Sequence, residues 1–283
     1  MLLFSSPWRR VATYGLGLAL TVSSPALLAA PQVASVDSPG KILKVTLEVD
    51  GGTARYSVQR LGEPVVRPSR LGFELRDGRL DRDFQLIDSR TRTFDQRWEQ
   101  PWGERRLTRN HYTELSVALR QAGSGGAPSR RLDVVFRVYD DGIGFRYVFP
   151  EQPGLREAII DEELTEFDLA AESTAWWIPA GEPIHYEYLY QRTPLREVPT
   201  VHTPLTLRST DGLHVAIHEA ALVDYAGMWL RRTDGQRLRA QLSPSAEGWK
   251  VRRTLPFASP WRTLQISDRA GGLVESDLIL NLN

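Results

Sequence analysis

Most of the chain after residue 40 alternates apolar and polar side chains with a period of two. In residues 43–50, for example, Leu and Val alternate with Lys, Thr, Glu and Asp. Successive side chains of a strand point to opposite faces, so this pattern predicts a strand with one buried and one solvated face. The same alternation recurs at 54–58, 132–138 and 143–149.

Asp-Gly dipeptides separate many of these alternating runs. Two alternating runs joined by Asp-Gly are typical of a β-hairpin, because Gly readily adopts the positive φ that the tight turn needs. The five dipeptides are Asp50-Gly51, Asp77-Gly78, Asp141-Gly142, Asp211-Gly212 and Asp234-Gly235. No segment of fifteen residues carries a helical apolar stripe, so we expect an all-β, antiparallel sandwich or barrel.

The chain after the first 35 residues reads as one domain. The flexible stretch 121–129, rich in Gly, Ser and Ala, lies between two strand-like runs and is therefore expected to be a long hairpin loop, not a domain linker. No repeat of fixed period is present. We predict a single domain over residues 36–283.

Residues 1–30 have the layout of a secretory signal peptide. Arg9 and Arg10 precede an apolar stretch over 11–22, and small residues at 26–30 offer a cleavage site. An uncleaved membrane anchor is the alternative, but Pro25 and the serines before it interrupt the apolar run. Because exported proteins without cysteine are more typical of bacteria, we expect a periplasmic protein with no membrane segment after cleavage.

Composition narrows the possible chemistry. The chain has 283 residues, no Cys and a formal net charge of zero. The absence of Cys excludes disulfides, thiolate metal sites and a cysteine nucleophile. The balanced charge argues against a nucleic-acid partner. Eight Trp, nine Tyr and nine Phe suit sugar binding and a β-core equally well.

Two polar groups have plain structural interpretations. His214 and His218 have the spacing of a helical zinc site, but on the predicted strand they would lie about 13 Å apart, too far to share one zinc ion. The acidic run over 161–172 lacks the pattern of a calcium loop. We expect it to be a solvated strand face or a sheet edge protected by charge.

Two aromatic segments are candidate sugar sites. In the first, Trp98, Glu99, Trp102 and Glu104 could present ring faces and carboxylates to a sugar; the alternative is a loop that buries both indoles in the sandwich. In the second, Trp177 ends the Trp-Trp pair that begins at 176. The rings of such a pair lie on opposite faces of a strand, so at least one of them should lie outside the core if the other face is solvated.

Several motifs together carry a family resemblance. They are Trp98-Glu99-Gln100-Pro101-Trp102-Gly103-Glu104, Phe136-Arg137-Val138-Tyr139-Asp140-Asp141-Gly142, Thr174-Ala175-Trp176-Trp177-Ile178-Pro179, Tyr186-Glu187, His218-Glu219-Ala220, Tyr225-Ala226-Gly227-Met228 and Pro260-Trp261-Arg262. This set resembles the N-terminal domain of glycoside hydrolase family 97. The resemblance implies a β-supersandwich of the galactose-mutarotase type.

The resemblance also implies an activity. Members are calcium-dependent, exo-acting α-glucosidases or α-galactosidases that act on oligosaccharides, and their catalytic carboxylates lie on a (β/α)₈ barrel that follows the sandwich. The sequence ends at Asn283, where that barrel would begin. We therefore expect a non-catalytic accessory domain, inactive by itself, whose partners are an oligosaccharide and the missing barrel.

The resemblance assigns roles to particular residues. Trp98, Glu99, Trp102, Glu104 and Trp177 become the expected substrate-binding set. By its position after the Trp-Trp-Ile-Pro strand, Glu187 becomes the one calcium ligand that this domain lends, so the chain alone should bind calcium weakly or not at all. A free-standing periplasmic carbohydrate-binding module is the alternative. A mutarotase-like enzyme that uses His and Glu is a third, weaker hypothesis.

Overall fold

The structure is a computed structural model that describes residues 30–123, 125–126, 128–181 and 186–283. All but the last residue of the expected signal peptide, 1–30, lies outside the described residues. Strands account for 60% of the structure and helices for 6%, which confirms the predicted all-β, antiparallel class. In these ranges no helix is long and apolar enough to cross a membrane.

The strands are numbered along the chain. They are β1 (Gln32–Asp37), β2 (Leu43–Asp50), β3 (Thr53–Arg60), β4 (Glu63–Arg70), β5 (Phe73–Leu75), β6 (Gly78–Leu80), β7 (Phe84–Glu99), β8 (Leu107–Gln121), β9 (Arg130–Val138), β10 (Gly142–Phe149), β11 (Glu157–Glu163), β12 (Glu166–Leu169), β13 (Ser173–Trp177), β14 (Gln191–Pro194), β15 (Thr200–His202), β16 (Leu205–Ser209), β17 (His214–Ala220), β18 (Met228–Asp234), β19 (Arg237–Leu242), β20 (Val251–Thr254), β21 (Phe257–Ala258) and β22 (Trp261–Ser267). A 3₁₀ turn, Leu195–Glu197, and two short helices, α1 (Ala270–Glu275) and α2 (Leu278–Leu282), complete the described elements.

Two large antiparallel sheets form the sandwich. The first has eight strands in the order β1-β2-β3-β4-β12-β19-β18-β15. The second has ten, in the order β14-β13-β16-β17-β22-β10-β9-β8-β7, with β21 paired to β10. A four-stranded sheet, β20-β11-β5-β6, completes the described sheets.

The Asp-Gly hairpins form where the sequence predicts them. β2 and β3 pair in a regular register from Asp50–Thr53 to Leu43–Arg60. The turn between them uses Gly51 and Gly52, whose φ angles of 52° and 76° favour glycine. The loop predicted for 121–129 joins β8 to β9, as expected.

The core lies between the inner faces of the two large sheets. Tyr56 of β3 packs its ring 4.8 Å from that of Phe145 on β10 and 6.0 Å from that of Phe136 on β9. All three side chains are fully buried. Burial of aromatic and aliphatic area on both inner faces supplies the main stabilisation of a sandwich.

The outer face of the ten-stranded sheet carries the C-terminal helices. Pairing of β8 with β9 begins at Thr113, so the part of the β7–β8 ribbon before it extends beyond β9. This extension contacts α2 through Trp98 and Asn281. Leu278 and Leu282 of α2 belong to a small buried apolar cluster with Trp261 on the sheet.

The prediction for the acidic run was wrong for two of its carboxylates. Glu163 is 0% and Asp168 6% exposed. Glu163 pairs with the fully buried Arg262, and Asp168 pairs with the partly exposed Arg67 and Arg237. The run crosses from β11 to β12 and so passes between two sheets, where its carboxylates meet arginines from distant strands. Sequence charge alone does not distinguish a solvated acidic face from a set of buried ion pairs.

Candidate functional site

The two predicted aromatic segments lie far apart. Trp98 is near the C-terminal end of β7 and Trp177 is at the end of β13, seven neighbouring pairs away in the ten-stranded sheet. At about 4.8 Å per pair, this separation is about 34 Å along the sheet. Because seven antiparallel steps also reverse the direction of the strand, the two C-terminal ends point to opposite ends of the sheet.

The segment around Trp98 divides into a structural and an exposed part. Trp98 is half-buried and its Nε1 donates to Asn281 Oδ1 over 2.9 Å. Glu99 is exposed and pairs with Arg106 at 2.8 Å. Trp102 is 82% exposed and Glu104 is exposed as well. The indole of Trp98 is therefore hydrogen-bonded to helix α2, whereas Trp102 and Glu104 remain accessible to a ligand.

The Trp-Trp pair is split between the two faces of β13, as the strand period requires. Trp177 packs against the core, and its Nε1 donates to Thr193 Oγ1 over 3.1 Å. Trp176 lies under the guanidinium of Arg192, 5.4 Å from the ring centre. Both rings are half-buried. Trp177 is thus closer to a core residue than to an open sugar platform.

The segment after this strand reaches one end of the sheet. Tyr186 packs its ring 4.5 Å from that of His202 and donates its hydroxyl to the Thr203 carbonyl over 3.2 Å. Glu187 beside it is exposed and forms no ion pair with any described residue. Leu189 is 85% exposed. Tyr186 thus fixes the segment to the sandwich, while Glu187 and Leu189 point to the solvent.

The segment that follows β17 lies at the same end of the ten-stranded sheet as the segment that follows β13. β13 and β17 are separated only by β16 and therefore run parallel, so their C-terminal ends lie side by side. Thr203 links them, since its Oγ1 lies 3.2 Å from His218 Nδ1 on β17. We call the exposed side chains at this end the loop edge. They are Tyr186, Glu187, Leu189, Tyr190, Leu222 and Val223.

His218 lies just inside the loop edge. Burial lowers the pKa of this imidazole, and the nearby Glu219 carboxylate opposes that shift only in part. His214 is on the same strand, in agreement with the prediction that the two histidines do not form a helical metal pair. In the part of the chain that the structure describes, no group of three or more His, Asp or Glu side chains is placed to hold a metal ion.

A buried ionic network, which the sequence did not predict, lies beneath the loop edge. The fully buried Arg262 of β22 donates Nε and Nη2 to Glu163, at 2.9 and 2.6 Å, and Nη1 to Glu219 at 2.6 Å. Tyr225 adds its hydroxyl to Glu163 over 3.4 Å, and burial raises its pKa well above the ordinary value. Glu219 Oε1 also accepts from the Met228 amide, at 2.9 Å.

This network accounts for three of the motifs quoted above. Glu219, Tyr225, Met228 and Arg262 all belong to them, and here these residues take part in the buried hydrogen-bond network. Their positions span more than forty residues, from 219 to 262, and Glu163 lies farther away still. No local spacing rule could have joined them.

Comparisons with known proteins agree with this architecture. A sequence model of a protein family described as "Glycosyl-hydrolase 97 N-terminal" matches residues 36–283. The solved structure of a glycoside hydrolase family 97 enzyme from Pseudoalteromonas sp. strain K8, in complex with acarbose, is similar with a TM-score of 0.85 and 39% identity. That similarity covers 88% of this chain and 38% of the other. A variant of the same enzyme in complex with panose gives the same values.

A curated relative extends the comparison. A probable retaining alpha-galactosidase from Streptomyces bingchenggensis (strain BCW-1) is 30% identical over 267 residues, covering 88% of this chain and 36% of that protein. The chain thus spans little more than a third of the length of the relatives that it matches.

Proposed function

Because the chain belongs to the N-terminal domain family of glycoside hydrolase family 97, we propose that it is the accessory β-domain of an exo-acting α-glycosidase. The loop edge is the surface that contacts the catalytic domain. The observation that supports this proposal is the concentration of exposed apolar side chains at the loop edge beside Glu187, which holds five of the twelve exposed large hydrophobic residues of the described chain. Exposed apolar patches on soluble domains commonly mark contact surfaces.

The catalytic carboxylates belong to the contacted domain. Glycoside cleavage needs two carboxyl groups about 5 to 9.5 Å apart across the scissile bond. The carboxylates at the sandwich core, Glu163 and Glu219, are both committed to Arg262. By analogy with the relative that binds acarbose and panose, the substrates are α-glucosidic oligosaccharides.

Glu187 lends one ligand to a calcium ion shared with that catalytic domain. A carboxylate oxygen is the hard donor that calcium prefers, and an exposed carboxylate without an ion-pair partner is available to coordinate. Calcium takes six to eight oxygens, so the other ligands come from the contacted domain and from water. By itself the chain binds calcium weakly.

A sugar contact separate from the loop edge comes from the exposed part of the tryptophan segment, at the opposite end of the sheet. Trp102 offers an open ring face and Glu104 an acceptor for sugar hydroxyls, whereas Trp98 is occupied by its contact with Asn281. In calorimetry, Trp102→Ala should weaken the binding of a malto-oligosaccharide to this chain. Unchanged affinity would remove this segment from the binding surface.

Calorimetry with calcium tests the central proposal. The enzyme that contains both this domain and its catalytic domain should bind calcium tightly, and Glu187→Gln should weaken that binding at least about tenfold. Glu63→Gln, an exposed glutamate on β4, is the matched control and should leave binding unchanged. This chain alone should show weak binding and no turnover of nitrophenyl α-glucoside. Tight binding by the chain alone, or an unaffected Glu187→Gln variant, contradicts the proposal.

We further propose that the protein is exported to the periplasm. The support is the sequence layout of residues 1–30 alone. Cell fractionation with N-terminal sequencing of the mature protein tests it. A cytoplasmic protein that retains Arg9 and Arg10 would exclude export.

A further inference from the structure

Two arginines lie directly opposite each other on the outer face of the eight-stranded sheet. Arg231 of β18 and Arg239 of β19 are partners in the antiparallel register of these strands. Their neighbours along each strand, Leu230 and Leu238, are buried in the core, so both arginine side chains lie on the solvated face. The Cβ atoms of directly opposed residues are about 4.5–5.5 Å apart. Both guanidinium groups can therefore reach one common ligand.

This arginine pair lacks a counter-charge. The side chains of Arg231 and Arg239 form no hydrogen bond or ion pair with the residues that the structure describes. Arg231 is exposed, whereas the Nε of Arg239 is buried without an acceptor. Like charges directly opposite each other destabilise a sheet. An anionic ligand would remove this repulsion and supply the missing acceptors.

A carboxylate on the neighbouring strand serves other residues. Glu166 of β12 is opposite Arg239 in the β12–β19 register. Its Oε2 accepts a hydrogen bond from the Arg70 amide at 3.2 Å and lies 3.9 Å from Arg237 Nε. Glu166 is thus directed toward Arg70 and Arg237 and forms no ion pair with Arg239.

Two further carboxylates on this face serve Arg237. Asp168 accepts from Arg237 at 2.9 Å and from Arg67 at 2.7 Å. Asp234 is opposite Arg237 in the β18–β19 register. The hydrogen bond to Asp168 and the weaker effect of the Asp234 charge both raise the pKa of the Arg237 guanidinium. Neither carboxylate forms an ion pair with the arginine pair.

The arginine pair matches a phosphate monoester better than a carboxylate. A guanidinium binds an oxyanion through two parallel hydrogen bonds. A carboxylate has one charge and two oxygens, which satisfy one such group. A phosphate monoester has three terminal oxygens and a charge of about −1.5 to −2 at pH 7, so it can bind both groups and neutralise both charges.

We propose that Arg231 and Arg239 together bind a phosphate monoester. Thr200 is opposite Arg231 in the β15–β18 register, so its hydroxyl lies on the same face and adds a donor beside the pair. The phosphate is carried either by a soluble ester, such as a sugar phosphate, or by the head group of a lipid. Both sources present the same group to the two arginines.

The site is close to the loop edge but does not belong to it. Trp229, two residues before Arg231, is opposite His202 in the β15–β18 register. The ring of His202 in turn lies 4.5 Å from that of Tyr186 at the loop edge. The proposal rests on the charges of the sheet face and not on the function proposed for the loop edge, so either one can fail without the other.

Calorimetry on the full chain with glucose 6-phosphate tests the proposal. We expect binding that weakens as salt is raised, and no binding of glucose. Arg231→Gln and Arg239→Gln should each lower the affinity at least about tenfold. Arg208→Gln is the matched control, because Arg208 is an exposed arginine of β16 in the other large sheet, and it should leave binding unchanged.

Thermal unfolding gives a second measurement. Glucose 6-phosphate should raise the unfolding temperature of the unmodified chain and leave that of the double variant Arg231→Gln/Arg239→Gln unchanged. The double variant should fold, since it removes two opposed like charges and no described ion pair. Unfolding followed by circular dichroism shows both effects.

Cosedimentation with vesicles separates the two sources of phosphate. Binding of glucose 6-phosphate supports the site with a soluble ester as its ligand. Binding to vesicles of phosphatidic acid but not to glucose 6-phosphate, again lost in the double variant, supports it with a lipid head group. Three outcomes would overturn the proposal. They are no binding of either phosphate, equal binding by the double variant, and tighter binding of a triglutamate peptide than of both phosphates.

Discussion

Trp98 Nε1 donates a 2.9 Å hydrogen bond to Asn281 Oδ1 across 183 residues of sequence. Asn281 Nδ2 in turn donates to the Arg109 carbonyl at 3.0 Å, so one amide joins both strands of the β7–β8 ribbon. Arg105 adds a hydrogen bond to the Glu275 carbonyl at the end of α1. The ribbon thus holds the C-terminal helices against the sheet.

Loss of the hydrogen bond from Trp98 to Asn281 should weaken the contact between the ribbon and α2. Trp98→Phe keeps an aromatic ring but leaves Asn281 Oδ1 without this donor, so we expect a loss of about 1–2 kcal/mol in the free energy of unfolding. Urea denaturation measures it. Trp102→Phe is the control, because Trp102 is 82% exposed, and should change stability by less than about 0.5 kcal/mol. Equal effects of the two substitutions would show that the hydrogen bond adds nothing.

The sequence predicted what depends on local periodicity and failed where distant residues meet. The alternation at 43–50 and the turn at Asp50-Gly51 were sufficient for the β2–β3 hairpin, because strand faces and tight turns are local properties. Helices α1 and α2 were not predicted. They are five or six residues long, and α1 contains two glycines, so intrinsic propensity does not explain them. Packing against Trp261 stabilises α2, whereas α1 buries no residue and is held by the hydrogen bond from Arg105.

The candidate site shows the same limit. Strand period alone placed the Trp176 and Trp177 rings on opposite faces. The role of Trp98 is decided by its hydrogen bond to Asn281 of α2, 183 residues further along the chain. The local sequence around Trp98 does not predict that contact. The assignment of Glu187 stays a prediction based on the family resemblance.

The Arg262 network should be strongly coupled to stability. Arg262→Met leaves two buried carboxylates, Glu163 and Glu219, without their cation, and we expect a loss of about 3–5 kcal/mol. Arg252→Met removes a solvent-exposed ion pair with Glu157 and should cost much less than Arg262→Met. Chemical denaturation of both variants makes the comparison. A small loss for Arg262→Met would mean that water or neighbouring groups compensate for the missing guanidinium.

Acid should destabilise the domain through Asp168. Burial by itself opposes ionisation of this carboxyl, but the hydrogen bonds from Arg67 and Arg237 outweigh it and lower its pKa. Its stabilising contribution is therefore complete above the unfolded pKa of about 3.9 and is lost as the pH falls through the lower, folded value. Unfolding free energies from pH 2 to 7 should decline less steeply for Asp168→Asn. An identical slope would exclude this carboxyl as a contributor.

His218 should give a second pH dependence, near neutrality. Burial lowers its pKa, so the unfolded chain binds more protons than the folded one at pH values between the folded pKa and about 6.5. Stability should therefore fall as the pH is lowered through this window. His218→Gln should remove this dependence, and NMR titration of the imidazole should place its pKa below that of a model peptide. A titration at the ordinary value would contradict the prediction.

The packing of α2 against the sheet depends on the absence of a side chain at Gly144. A Cβ at this position would overlap Leu282 Cδ1, and Leu282 is itself buried. We expect Gly144→Ala to cost about 1–3 kcal/mol through overpacking and Leu282→Ala about 2–5 kcal/mol through lost burial. In the double variant the overlap disappears, so its loss should be at least about 1 kcal/mol smaller than the sum of the two single losses. Gly227→Ala is the control, since the nearest atoms to its added Cβ lie 3.9 Å away. Strict additivity in urea denaturation would mean that α2 does not press on the sheet at Gly144.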